Sequence, residues 1–282
     1  MGPLAAVDLS LAVDPVALVV IGLGLLWYVR AVRRVTRAGG RWPASRSVAA
    51  ATAAFAAILA SNGWVAANDL SRFSAHATQH LLLALVVPLS VVLAAPLSLG
   101  LRTSTPPARA VVRRWSTVRP VQVLAHPVVA GAIFTATVVA MYATPLFAWS
   151  LTTPSVHLLV HAHLVLIGLL FFWPLVGFDP APVRVPHPAR VGLLILILPL
   201  HALLAVALMS ADPPLGSPVS VRLALAAGAD PVAEQRLGAG ILWAGGDLIA
   251  LIAIAIACYR WWRADTAFSR AGTTVPMVGT TS

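Results

Sequence analysis

The sequence predicts an all-α polytopic membrane protein, a bundle of seven transmembrane helices. Of its 282 residues, 59% are hydrophobic and only 10% are charged, and the mean hydropathy of +0.89 lies outside the range of soluble globular domains. Seven apolar runs recur along the chain, most of them close to the length needed to cross a bilayer as a helix. The charged residues are concentrated between these runs, as a membrane protein requires.

The seven predicted helices follow one another as a single domain over 1–263. In chain order they cover about 15–30, 47–66, 76–100, 121–143, 156–176, 191–210 and 237–259. The longest outer connection, 211–236, is rich in Pro, Gly and Asp. Residues 264–282 form a small polar segment, which we expect to be a disordered cytoplasmic tail.

The arginines predict how the bundle is oriented. All 19 basic residues are arginines, and 16 of them lie in 30–46, 101–120, 177–190 or after 259. Only Arg72, Arg222 and Arg236 lie in the alternate connections. Because positive charge is retained on the cytoplasmic side, the N-terminus should lie outside and the C-terminus in the cytoplasm. The same distribution explains the net charge of +10 without a nucleic-acid partner, since the partner of these arginines is the lipid bilayer.

Several chemistries are excluded or disfavoured by residues that the chain lacks. Cys258 is the only cysteine, so there is no intrachain disulfide and no Cys-x-x-Cys motif. No arginine precedes Arg30, so the N-terminus does not resemble a signal peptide, and the first helix is expected to be retained. The sequence also contains no Walker loop, Gly-x-Ser-x-Gly or dinucleotide fingerprint.

Histidines mark the candidate site. His76 and His80 begin the third predicted helix, and His157 and His161 begin the fifth. Residues four apart lie on one helix face, so each pair presents two imidazoles one turn apart. His201, in the sixth helix, is predicted at comparable depth in the outer half of the membrane. The other histidines lie at the inner end or on another helix face: His126, His163 and His187.

Five histidines on three helices predict a metal or cofactor site, although buried histidines can also form structural hydrogen bonds between helices. Imidazole with thioether donors favours copper as Cu(I), and Met141 and Met209 are possible additional ligands. Asp247 would serve as a further ligand or would orient a ligating imidazole, and Gln79 is expected to bond between helices. Zinc held by histidine and Asp247, and haem held by two axial histidines, are the alternative cofactors.

Four sequence blocks resemble the CtaG family of caa(3)-type cytochrome c oxidase assembly factors, which are bacterial multi-pass membrane proteins. The blocks are FSAHATQHLLLALVVPLSVVLAAPL at 73–97, HLLVHAHLVLIGLLFFWPLVGFDPAP at 157–182, HALLAVALM at 201–209 and EQRLGAGILWAGGDL at 234–248. They occur in the family's order and span most of the chain from the third helix onward.

The resemblance implies a role in maturing a haem-copper oxidase, in which copper is delivered to the catalytic subunit of the oxidase. It places the five histidines on the family's histidine positions. Asp179, Gly238, Trp243 and Asp247 fall on other motif positions. The chain departs from the family where Ala77 replaces the methionine that often follows the first histidine, and where Glu234 and Ala239 alter the last motif.

We therefore expect a copper-handling assembly factor of the bacterial cell membrane, not an enzyme. It would take copper from an extracytoplasmic donor and pass it to the oxidase catalytic subunit. Two other functions remain open from the residues: a haem-binding membrane electron carrier, and a seven-helix membrane zinc hydrolase that uses histidines and Asp247 around a metal-bound water.

Overall fold

The computed structural model describes residues 11–272, apart from the side chains of 113, 115, 116, 197, 201 and 268–272. Within this range the chain is helical, and the only β-type pairing is an isolated bridge between Ala12 and Gly63. The helices are α1 (Pro15–Arg37), α2 (Ala44–Ser61), α3 (Gly63–Asn68), α4 (Phe73–Leu81), a π-helical turn (Leu82–Val86), α5 (Val87–Ala94), α6 (Pro96–Thr103), α7 (Pro106–Thr117), α8 (Arg119–Leu124), α9 (Pro127–Ala143), α10 (Leu146–Thr152), α11 (Pro154–Val176), α12 (His187–Ser210), α13 (Val219–Ala226) and α14 (Pro231–Gly272).

Six helical stretches in the described range are long and apolar enough to cross a membrane. They are Pro15–Arg37, Ala44–Asn68, Phe73–Thr103, Pro154–Val176, His187–Ser210 and Pro231–Ala267. A seventh is present if α9 and α10, which meet at an angle of 72°, are counted together. The all-helical multi-pass prediction is therefore confirmed.

The predicted fourth helix, 121–143, is interrupted at 125–126. α8 ends at Leu124 and α9 begins only at Pro127, because proline favours the first turn of a helix, where its missing N–H is not needed. The 17 residues of α9 span only about 25 Å. At the other end of the chain, α14 continues to Gly272, so 264–272 are helical rather than disordered. The remainder of the predicted tail, 273–282, lies outside the described residues.

The third predicted helix is interrupted twice. A π turn begins at Leu82, two residues after His80, and Ala95 adopts a left-handed conformation with φ of 53° before Pro96 begins α6. The carboxylate of Asp179 caps α6, accepting hydrogen bonds from the backbone N–H groups of Leu97 at 3.0 Å and Ser98 at 2.6 Å. Asp179 therefore ties the connection after α11 to the third span.

The arginine-rich connections meet at one end of the bundle. Arg102 donates to the carbonyl oxygen of Arg41 at 3.2 Å, and the guanidinium of Arg46 lies 4.7 Å from the centroid of the Trp42 ring. Arg260 donates to the backbone carbonyls of Val176 and Gly177. The starts of α4 and α11, with their histidines, lie at the opposite end.

Candidate metal centre

Four of the five predicted site histidines come together where α4 and α11 lie side by side. The rings of His76 and His80 on α4 have centroids 4.0 Å apart, and those of His157 and His161 on α11 are 4.1 Å apart. Between the helices, His76 lies 6.1 Å from His157 and His80 lies 5.6 Å from His161. We call these four residues the histidine cluster. Because the helices run in the same direction, each pair faces its counterpart at the same level.

One glycine on α11 allows this close approach. A Cβ on Gly168 would lie 2.6 Å from Cγ and 2.9 Å from Cβ of Pro88, and closer still to the carbonyl oxygen of Ala84 in the π turn. Only a residue without a side chain fits there. Gly168 lies seven residues after His161, about two helical turns, so the contact sets the separation of α4 and α11 just below the cluster.

Asp69 joins the cluster, and the sequence analysis missed it. Its Oδ2 lies 3.0 Å from Nε2 of His157. Asp69, His157 and His161 each place a potential ligand atom within 4.8 Å of the other two. The available signal was an acidic residue seven positions before His76, in a connection that is otherwise poor in acids. Its side chain is 9% exposed, so its charge is shielded from bulk water.

The cluster is buried but leaves ring nitrogens without hydrogen bonds. His76 is 0% and His80 5% exposed. Within the cluster, five buried imidazole nitrogens have no hydrogen-bond partner: both of His76, Nε2 of His80, Nδ1 of His157 and Nε2 of His161. A buried polar group without a partner costs about 1–3 kcal/mol. This arrangement therefore lowers the stability of the fold unless a further group binds the nitrogens.

The ring separations suit a single metal ion. A metal bonded to imidazole nitrogen at about 2.0–2.1 Å lies roughly 3.2 Å from the ring centroid, so two rings that share an ion have centroids no more than about 6.4 Å apart. The four nearest separations in the cluster, 4.0 to 6.1 Å, satisfy this limit. Side-chain rotation could therefore bring several imidazoles onto one ion, with Asp69 as an oxygen donor.

An ion pair holds the start of α4 in place. Glu234 on α14 accepts from Arg72 Nη1 at 3.1 Å and from the backbone N–H of Ser74 at 3.2 Å, and it also accepts from the Ser74 hydroxyl. The carboxylate therefore caps the first turn of α4 and neutralises the arginine beside it. Small residues on α14 complete the contact, since a Cβ on Gly238 would lie 2.9 Å from the carbonyl oxygen of Phe73.

A cavity of about 540 Å³ leads to the cluster from the end of the bundle opposite the arginines. We call it the vestibule. Its lining includes Asp69, Gln79, His157 and His161, together with Asp14 before α1. The vestibule therefore gives an ion a path to one side of the cluster, past a carboxylate.

The other predicted ligands have different surroundings. Gln79 donates from Nε2 to the carbonyl oxygen of Ala60 at 2.9 Å, which confirms the expected bond between helices. Met141 on α9 is buried, whereas Met209 places its methyl group 3.7 Å from a Cβ built on Gly240. Asp247 is half-buried on α14. The side chain of His201 lies outside the described residues, so its position on α12 leaves the predicted role untested.

Ala77 is fully buried, at 0% exposure, and therefore does not face lipid. It lies four residues from both Phe73 and Leu81, whose side chains contact α14 at Gly238 and Gly245. Residues at this spacing share a helix face. Ala77 therefore belongs to the face of α4 that packs on α14, beside the face that carries His76 and His80.

Three histidines stand apart from the cluster, as predicted. His126 is exposed at the start of α9, and His187 begins α12. His163 is exposed on α11 and shares a hydrogen bond of 2.8 Å with the Thr137 hydroxyl. His126 and His187 provide matched controls for histidine substitutions.

Comparison with known proteins gives the family. The sequence model of the cytochrome c oxidase caa3 assembly factors matches residues 26–264. Uncharacterized proteins of Mycobacterium bovis and Mycobacterium tuberculosis are each 32% identical over 257 residues, which is 88% of this chain and 38% of theirs. An uncharacterized protein of Mycobacterium leprae is 32% identical over 256 residues, with the same shares.

The chain thus spans less than half the length of the curated relatives that it matches. No solved structure matches it. The family match covers the histidine cluster, Asp69, the Glu234 contact and every candidate membrane helix except the first part of α1 and the last residues of α14. The chain belongs to the caa3-type cytochrome c oxidase assembly factor family.

Proposed function

We propose that the chain binds copper at the histidine cluster and passes it to the catalytic subunit of a haem-copper oxidase. The observation that carries the proposal is the set of five buried ring nitrogens without hydrogen-bond partners, which converge from two helices. Membership of an oxidase assembly family gives this ligand set a purpose, because a haem-copper oxidase must acquire copper.

The donor set favours a borderline or soft ion. Imidazole suits copper and zinc alike, and two to four imidazoles satisfy either copper oxidation state. Asp69 adds an oxygen donor, which favours Cu(II) or zinc over Cu(I). Haem is less compatible with the geometry, because Gly168 brings α11 against the π turn and a macrocycle between the rings would have to separate the helices.

The predicted orientation gives the transfer a direction. The cluster and vestibule lie at the end opposite the arginine-rich connections, which the positive-inside rule assigns to the cytoplasm. In a bacterial cell membrane the vestibule would then open to the outside, where an extracytoplasmic donor supplies copper. The protein would act as a carrier rather than an enzyme.

Metal analysis of detergent-purified protein tests the proposal. The wild-type chain should bind copper, and the double variant His80→Ala, His161→Ala should lose it. The matched double variant His126→Ala, His187→Ala removes two histidines that line neither cavity beside the cluster and should retain copper. Electron paramagnetic resonance then gives the oxidation state.

Other results would contradict copper handling in distinct ways. Zinc in place of copper, with amidase or esterase turnover, would indicate the hydrolase. A Soret band lost in the cluster variant would indicate the haem carrier. If neither chain binds a metal or haem, and the cluster variant leaves the copper content of the oxidase unchanged in cells, the cluster is a structural network.

A further inference from the structure

A second cavity touches the histidine cluster from the side. It has a volume of about 310 Å³ and lies between α4, α9 and α11, where its lining includes His80, Met141, Leu159 and His163. We call it the lateral cleft. The residues that line it and those that line the vestibule do not overlap. The cluster therefore separates two cavities of different character.

The lateral cleft opens towards the membrane-facing surface of the bundle. On α11, Leu159 is 68% exposed and His163 is also exposed beside the cleft. Along α9 the cleft meets a further cavity of about 440 Å³, with which it shares Phe134, Val138, Tyr142 and Leu204. The apolar helix surface around the opening indicates that only a group within the bilayer can reach it.

Metal-binding side chains are placed along this otherwise apolar cavity. His80 belongs to the cluster, and Met141 and His163 lie on the two helices that border the opening. A hydrated ion cannot cross an apolar wall without a large loss of solvation. Copper can leave in this direction only if it passes from one ligand to the next, the last of them supplied by an acceptor in the membrane.

We infer that copper reaches the cluster through the vestibule and leaves through the lateral cleft, to a membrane-embedded acceptor that presents imidazole or thioether ligands. This inference rests on the proposed function. Each new bond from copper to an acceptor ligand replaces a bond to a cluster imidazole, and the oxidation state does not change. The acceptor helix docks against α9 and α11, beside Leu159.

Two neighbouring leucines allow the two openings to be blocked separately. Leu158 lines the vestibule and Leu159 lines the lateral cleft, and both are 68% exposed. Tryptophan at either position adds bulk at one opening without filling the core. Val128→Trp, at an exposed position on α9 outside both cavities, is the matched control.

The full-length variants are reconstituted in liposomes and two rates are measured: copper uptake from water, and transfer from preloaded protein to a copper-depleted oxidase in the same membrane. Leu158→Trp should slow uptake about fivefold and leave transfer unchanged, as expected for a blocked access route. Leu159→Trp should load normally and slow transfer by about the same factor. Val128→Trp should change neither rate.

The results separate the inference from the proposed function. If wild-type protein takes up no copper, the proposed function fails. If wild-type protein loads and delivers but Leu159→Trp and the bulkier block Val138→Trp both deliver at the wild-type rate, the lateral cleft is a lipid-filled gap. If Leu158→Trp slows both steps and Leu159→Trp slows neither, copper enters and leaves through the vestibule. Either of the last two results overturns the inference.

Discussion

Gly168→Ala should disrupt the cluster without touching a histidine. The added Cβ would lie 2.6 Å from Cγ of Pro88, whereas carbon atoms normally approach to about 3.5–4.0 Å. Backbone atoms of the π turn also lie in the way, so no side-chain rotation relieves the clash. α11 must therefore move away from the third span by about 1 Å.

A shift of this size is large for a metal site. Ligand distances tolerate about 0.2 Å, so separation of the helices by about 1 Å would remove at least one of the proposed bonds between copper and a cluster imidazole. We expect copper affinity to fall about 10–100-fold, comparable to the loss of a group that orients a ligand. Overpacking should lower the free energy of unfolding by about 1–3 kcal/mol. The higher helix propensity of alanine over glycine offsets up to about 1 kcal/mol of this loss.

Competition with a copper chelator measures the affinity, and thermal unfolding in detergent measures the stability. Gly131→Ala is the control, since its Cβ would meet only the Phe171 ring at an ordinary distance of 3.6 Å. That variant should bind copper like the wild type. If Gly168→Ala binds copper as tightly as Gly131→Ala and is equally stable, helix separation at this glycine does not position the cluster.

Three further substitutions test the surroundings of the cluster. Asp69→Asn keeps the shape of the side chain but removes the charge beside His157, so copper affinity should fall about 10–100-fold. If a copper titration gives the same affinity for this variant as for the wild type, Asp69 is not a ligand. Glu234→Ala leaves Arg72 without its ion-pair partner and should lower the free energy of unfolding by about 1–3 kcal/mol. The control Arg236→Ala changes an exposed position on the same helix and should leave the free energy of unfolding unchanged. If the two variants unfold at the same temperature, Glu234 does not stabilise the start of α4. Ala77→Met should destabilise the protein by about 1–3 kcal/mol by overpacking the α4–α14 contact, and tighter copper binding in this variant would instead place position 77 at the ligands.

The sequence predicted the histidine pairs well because helix periodicity is local. Spacing of four residues put His76 above His80 and His157 above His161, and the observed ring separations of 4.0 and 4.1 Å follow from that geometry. The placement of both histidine pairs at the same end of the bundle was also predictable, because apolar runs and arginines determine which helix termini share a side.

The residues that face each histidine pair could not be predicted, because their positions depend on tertiary contacts. The juxtaposition of α4 and α11 requires the fit between Gly168 and the π turn, and π turns have no clear sequence pattern. Asp69 lies in a connection, and only the chain reversal between α3 and α4 brings it to His157. The prediction of the fourth helix missed the break before Pro127, because the apolar run continues across it.

The unpaired nitrogens connect folding with function. The helix contacts at Gly168, Gly238 and Gly245 hold the third span against its neighbours, and the ring nitrogens of the cluster are buried and without partners. Stability spent on such groups is recovered when a ligand binds them, so the metal-bound form should melt at a higher temperature than the metal-free form. A copper carrier of the proposed kind would benefit from this balance, because ligands that are held in place by the helices would bind copper without refolding. A cluster split between two helices would also release copper from one imidazole at a time.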